Sequence, residues 1–183
     1  VGSVDVYKRQ VKLNENFQMT DEFHHLIRPQ VYTQMHHAIS EVTHMDMKEL
    51  RNRGTLFPDA AADFISWCGE GAVFCTWGNM DLLELQRNMD HYNMANPFPK
   101  PLFYYDVQKL YGLFCRENAR ISLDSAVEEQ NLLEDRPFHR ALDDAYYTGK
   151  LLTMLGNAPG PDAILPFWSV DYYRPVSYTH LRA

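Results

Sequence analysis

Apolar positions along the chain fall into short strand-like runs separated by longer stretches with helical spacing. Residues 11–13 read as the end of a strand entering the turn Asn14-Glu15-Asn16, and residues 22–27 as a second strand stopped by Arg28-Pro29. Residues 35–43 and 45–51 carry short helical patterns. Residues 59–68 form a firmer helix, with Phe64, Ile65 and Trp67 to bury and Pro58 near its start. Residues 72–77 are apolar almost without a break, which predicts a strand covered on both faces. A helix over 79–92, a strand over 102–105 and a helix over 107–116 follow. Ser122 is placed to cap a helix over 122–130. The longest helix spans 141–155 and is closed by Gly156. Strands alternating with helices predict an α/β layer fold, and the chain holds no internal repeat or low-complexity tract.

Composition narrows the picture. With 183 residues, 45% of them hydrophobic and 13% aromatic, the chain can bury one substantial core, so one domain is expected. No apolar run reaches the roughly 18 residues a membrane helix needs, and no apolar stretch follows Lys8 and Arg9 as in a secretory signal. Cys68, Cys75 and Cys115 form no C-x-x-C pair and are odd in number, which suggests buried thiols in a reducing, cytoplasmic protein. The net charge of −7 is awkward for a nucleic-acid binder, which usually presents a basic face. A nuclease whose carboxylates hold divalent metals avoids that objection, because the ions bring the positive charge to the phosphate.

Both ends read as foreign. Asp5-Val6-Tyr7-Lys8-Arg9-Gln10 is what GAT GTG TAT AAG AGA CAG encodes, which resembles the end of a sequencing adapter. Val176-Ser177-Tyr178-Thr179-His180-Leu181-Arg182-Ala183 fits the reverse complement running into the partner adapter. The expected organisation is therefore an adapter-like segment over 1–10, a domain over 11–174 and a second adapter-like segment over 175–183.

Two places could carry chemistry. In Trp77-Gly78-Asn79-Met80-Asp81, a buried strand turns sharply into a helix. At about 100° per residue, Leu82, Leu85, Met89 and Tyr92 share one side of that helix. Asp81 falls at its margin, while Glu84 and Asn88 point to solvent. A carboxylate at an apolar margin is paired, capped or metal-bound, because burying it alone is costly; complementing the helix N-terminus serves equally well as an explanation. In His139-Arg140-Ala141-Leu142-Asp143-Asp144-Ala145, the helix presents Ala141, Ala145, Thr148, Leu152 and Leu155 on one face. That reading sets Asp144 at the edge of the face and turns Asp143 outward, with small residues letting the helix lie close to a sheet.

The run His139 to Ala145 resembles the third motif, H-x-A-x-x-D-A, of DEDDh-type 3′-to-5′ exonucleases, and Thr76 to Asp81 resembles their second. The tryptophan-glycine pair is closest to the stand-alone, RNA-trimming subgroup related to ribonuclease T. The resemblance extends over about residues 11–155. It implies a ribonuclease H-like fold, a mixed five-stranded sheet flanked by helices. It also implies two divalent ions, Mg²⁺ or Mn²⁺, acting on single-stranded RNA or DNA 3′ ends. Asp81 and Asp144 would then be metal ligands and His139 the general base. The family's opening strand, with its Asp-x-Glu, should precede Val11, and nothing in residues 1–10 supplies it. The resemblance thus implies a first strand missing and little nuclease activity for the chain as written.

Other features carry less. His24, His25, His36, His37 and His44 lack the spacing of a zinc site. Asp106 suits a helix cap, and the aromatic run over 167–173 suits an edge of the core better than base stacking. The competing functions are a non-catalytic nucleic-acid-binding or scaffold domain with the exonuclease fold, and a zinc module built on the histidines.

Overall fold

The computed structural model describes residues 7–28, 51–98, 102–115, 121–132, 141–156 and 172–173. Strands β1 (Tyr7–Leu13) and β2 (Met19–Leu26) form an antiparallel hairpin with Tyr7 opposite Leu26. The Asn14 carboxamide oxygen accepts from the backbone N–H groups of Asn16 and Gln18 at 3.0 and 2.9 Å, which closes the turn. β1 is thus longer than the strand end expected at 11–13. Its pairing with β2 continues into the segment read as adapter.

Helix α1 (Phe57–Cys68) starts two residues earlier than its pattern suggested and carries Pro in its first turn, where the missing N–H costs nothing. Its buried face, Phe57, Ala60, Ala61, Phe64 and Cys68, packs on Phe23 of β2, whose ring centroid lies 5.4 Å from that of Phe64. The predicted helix over 35–43 lies outside the described residues, as does that over 45–51 except for Arg51, which is helical together with residues 52 and 53.

β3 (Phe74–Thr76) leads through α2 (Met80–His91) to β4 (Leu102–Asp106), which pairs parallel to β3 with Thr76 opposite Asp106. β5 (Tyr172–Tyr173) adds antiparallel to β4. Here the apolar run over 72–77 misled: Phe74, Cys75 and Thr76 are only half-buried, and Val73 is 60% exposed. Among the described residues the strand is therefore only partly covered, and it pairs with β4 alone.

Helices α3 (Val107–Cys115), α4 (Leu123–Glu129) and α5 (Ala141–Gly156) complete the layers. Ser122 caps α4 as expected, its hydroxyl accepting from the Ser125 N–H at 3.2 Å. A second core gathers Val107, Tyr111, Ala126, Val127, Tyr147, Leu151 and Leu155. The five described strands make a two-stranded and a three-stranded sheet, and α5 lies against both β1 and β3. No helix among the described residues is long and apolar enough to cross a membrane.

α5 has two contacting faces. Tyr147 and Leu151, fully buried, point to α3 and α4. On another side Gly149, Thr153 and Gly156, spaced four and three apart, lie on the hairpin. A Cβ on Gly149 would come within 2.8 Å of the Met19 methyl and 3.1 Å of Val11. The Thr153 hydroxyl donates to the Phe17 carbonyl at 2.7 Å. Small residues do bring this helix close to a sheet, but they are not the ones the single-face reading chose.

Candidate active site

β3 ends at Thr76, and the chain reverses through Trp77-Gly78-Asn79 into α2. Gly78 holds φ +86°, a left-handed conformation that a side chain strains. The Thr76 hydroxyl donates to the Gly78 carbonyl and tightens the turn. The Trp77 ring packs 5.9 Å from the Tyr111 ring, and its indole N–H donates to the Ile121 carbonyl at 3.3 Å.

Asp81 stands in the first turn of α2 and is exposed to solvent. Its apolar neighbours Leu82, Leu85 and Met89 are buried, as the periodicity required. The reading of Glu84 and Asn88 as solvent-facing is overturned: they are 7% and 8% exposed. Glu84 pairs with Arg87, and the Asn88 carboxamide donates to the Glu84 carbonyl at 2.8 Å. α2 also buries Leu83 and Gln86, so it is covered on more than one side and a one-face reading could not place its polar residues.

The assignment of the two adjacent aspartates is also reversed. Asp143 is buried at 5% exposure, and Asp144 is exposed. The cause is Tyr147: the large ring occupies the space between α5, α3 and α4, and Asp143, one turn before it, follows it inward. Asp144 remains in the first turn of α5, open to water. His139 lies outside the described residues, as do 167–171 of the aromatic run.

Trp77, four residues before Asp81, and Tyr147, three after Asp144, belong to the same core cluster. The turn that carries one carboxylate and the helix that carries the other are therefore fastened to one core. Asp106, at the rim where β3 and β4 end, caps α3: its carboxylate accepts from the Lys109 N–H at 3.1 Å and lies 3.8 Å from the Lys109 ammonium. That was the role the sequence favoured. The polar link between Gln108 and Ile121 escaped the sequence reading, since no local pattern marks a contact between these two segments.

Asp81 and Asp144 offer hard oxygen donors of the kind Mg²⁺ and Mn²⁺ prefer. Among the described residues no group of three or more His, Cys, Asp or Glu side chains stands together to hold an ion, so these residues match a metal site in kind without completing it. Burial pushes the Cys75 thiol up to about 12 and the Cys68 thiol up to about 11, so both stay protonated and poorly nucleophilic at neutral pH.

A model of the exonuclease family matches residues 9–152. The chain belongs to the exonuclease family. The exonuclease match includes both stretches singled out above, and it makes nuclease chemistry the activity class of this domain. No curated protein sequence matches the chain. Among solved structures, the nuclease domain of 3′hExo, a DEDDh family member bound to rAMP, superposes with TM-score 0.73 at 20% identity. That superposition covers 92% of this chain and 84% of the other. A 3′-exonuclease that recognises the histone mRNA stem-loop gives 0.70 at 18% identity, over 84% of this chain and 56% of its own. Exonuclease X, solved with 5′-overhanging duplex DNA, gives 0.56 at 15% identity over 90% of each chain. At such identities the likeness is one of fold, and that fold is the ribonuclease H-like α/β class expected from the sequence.

Proposed function

We propose that this exonuclease domain is of the DEDDh type and removes nucleotides from the 3′ ends of single-stranded or overhanging nucleic acid, RNA in preference to DNA, by two-metal chemistry. The observation that carries the reading is that both motif aspartates, Asp81 and Asp144, lie within the family match, exposed in the first turns of two helices, and that Trp77, in the turn leading to Asp81, packs on the core that holds the helix of Asp144. Enzymes of this type use divalent ions. Bound ions would supply positive charge at the scissile phosphate and lower the pKa of an attacking water. Asp81 and Asp144 would hold them, and His139 would take the proton, its ordinary pKa suiting neutral pH.

Within the 183 residues, no Asp is followed two positions later by Glu. Two carboxylates are fewer than a pair of ions needs, so the chain in this form has little activity. The same observation favours the second reading, a nucleic-acid-binding or scaffold domain without catalysis.

The test is shortening of 5′-labelled single-stranded RNA in Mg²⁺, with and without an upstream strand that supplies Asp-x-Glu. The extended form should produce a ladder receding from the 3′ end. Asp81→Asn or Asp144→Asn should each slow it by more than the roughly 100-fold that outer-shell changes cost, and His139→Ala by about 10²–10⁴-fold. Binding without shortening in the extended form would select the scaffold reading and end this one.

A further inference from the structure

The strand-to-helix turn that leads to Asp81 is tied to its surroundings through a backbone carbonyl, that of Ile121. Ile121 is 8% exposed and sits just before the cap of α4. Its oxygen accepts the Trp77 indole N–H at 3.3 Å and the Gln108 carboxamide N–H at 2.7 Å. A carbonyl has two lone pairs, and both are engaged here. The end of β3, the first turn of α3 and the entry to α4 therefore meet at one atom. The other half of the Gln108 carboxamide faces the turn itself: its oxygen would lie 3.5 Å from a Cβ placed on Gly78.

We propose that Gln108 is a positioning residue, whose side chain ties α3 to the Trp77-Gly78 turn and so fixes the direction in which α2 presents Asp81. A glycine with φ +86° has wide conformational freedom, and a turn built on it keeps one geometry only when its neighbours are fixed. Trp77 supplies one restraint. Gln108 supplies the second by orienting the carbonyl to which Trp77 is bound. The importance of Asp81 rests on the function proposed above, but the tether itself does not.

Amide hydrogen exchange on the full chain tests the tether without reference to activity. Gln108→Met keeps the length and removes the donor. Exchange at Leu83, whose N–H donates to the Asn79 carbonyl at 3.2 Å, and at the amides of the next turn of α2 should then quicken by up to about tenfold, the cost of one hydrogen bond, while amides around Phe64 keep their rates. In chain labelled with 5-fluorotryptophan, the Trp77 ¹⁹F resonance should shift in Gln108→Met. Gln108→Lys, which restores a donor at similar reach, should move it back towards the wild-type position. Uniform acceleration through both cores would mean that Gln108 merely supports the fold, and unchanged exchange at Leu83 and the next turn of α2 would mean that it does not hold the turn; either overturns the proposal. Loss of the tether with Asp81→Asn still affecting RNA shortening, or the reverse, separates the failure of this inference from failure of the function.

Discussion

An aspartate in the first turn of a helix is stabilised by the unpaired N–H groups there whether or not it binds anything else. Asp81 and Asp144 both have this support and both are exposed, so neither is needed to fill a core. Replacing either by Asn should change the unfolding free energy by less than about 1 kcal/mol in a urea titration. Tyr147→Ala, three positions from Asp144, should cost about 3–5 kcal/mol because it empties a fully buried site. A loss for Asp144→Asn as large as for Tyr147→Ala would make the aspartate a structural residue. The choice between Asp143 and Asp144 also shows where sequence reasoning fails. Motif resemblance picks Asp144, whereas the helical-face argument turned Asp144 inward and Asp143 outward, opposite to their burial. It weighted small residues over the one large ring that decides how the helix is turned.

At the scale of elements, most of the pattern was legible. The Ser122 cap, the Pro at the start of α1, the helix from Ala141 and the capping role of Asp106 all follow from local chemistry. What was not legible depends on contacts between elements. The fourfold-and-threefold spacing of Gly149, Thr153 and Gly156 has meaning only beside the hairpin. Phe17 occupies a left-handed conformation at φ +57°, and its carbonyl is bonded by Thr153. A Cβ on Gly156 would fall 2.6–2.9 Å from its ring, Cγ included, so the whole ring rather than a flexible tip must shift. Gly156→Ala should therefore destabilise by about 1–3 kcal/mol despite the better helix propensity of alanine. Gly149→Ala should cost less, because its closest obstacle is the mobile end of Met19. Chemical denaturation of the two variants checks the order, and the reverse order would mean that the hairpin does not rest on the end of α5.

At the scale of the whole molecule, the hairpin β1–β2 and the sheet β3–β4–β5 are separate ladders joined by α5, which touches both. The chain carries a net charge of −7, so a nuclease reading leans on cations at the carboxylates to meet a polyanion. α/β class and exonuclease family were readable in the sequence. That the sheet divides, and that α2 buries Glu84 and Gln86, were not, because burial from several sides leaves no periodic trace. The claim on which the rest stands is that Asp81 and Asp144 serve one cation-binding site. Titrating Mn²⁺ into ¹⁵N-labelled chain measures this directly through paramagnetic broadening. Amides flanking both aspartates should broaden together, and either Asp81→Asn or Asp144→Asn should abolish the broadening at both places. Broadening around one aspartate alone, or around neither, would contradict the account.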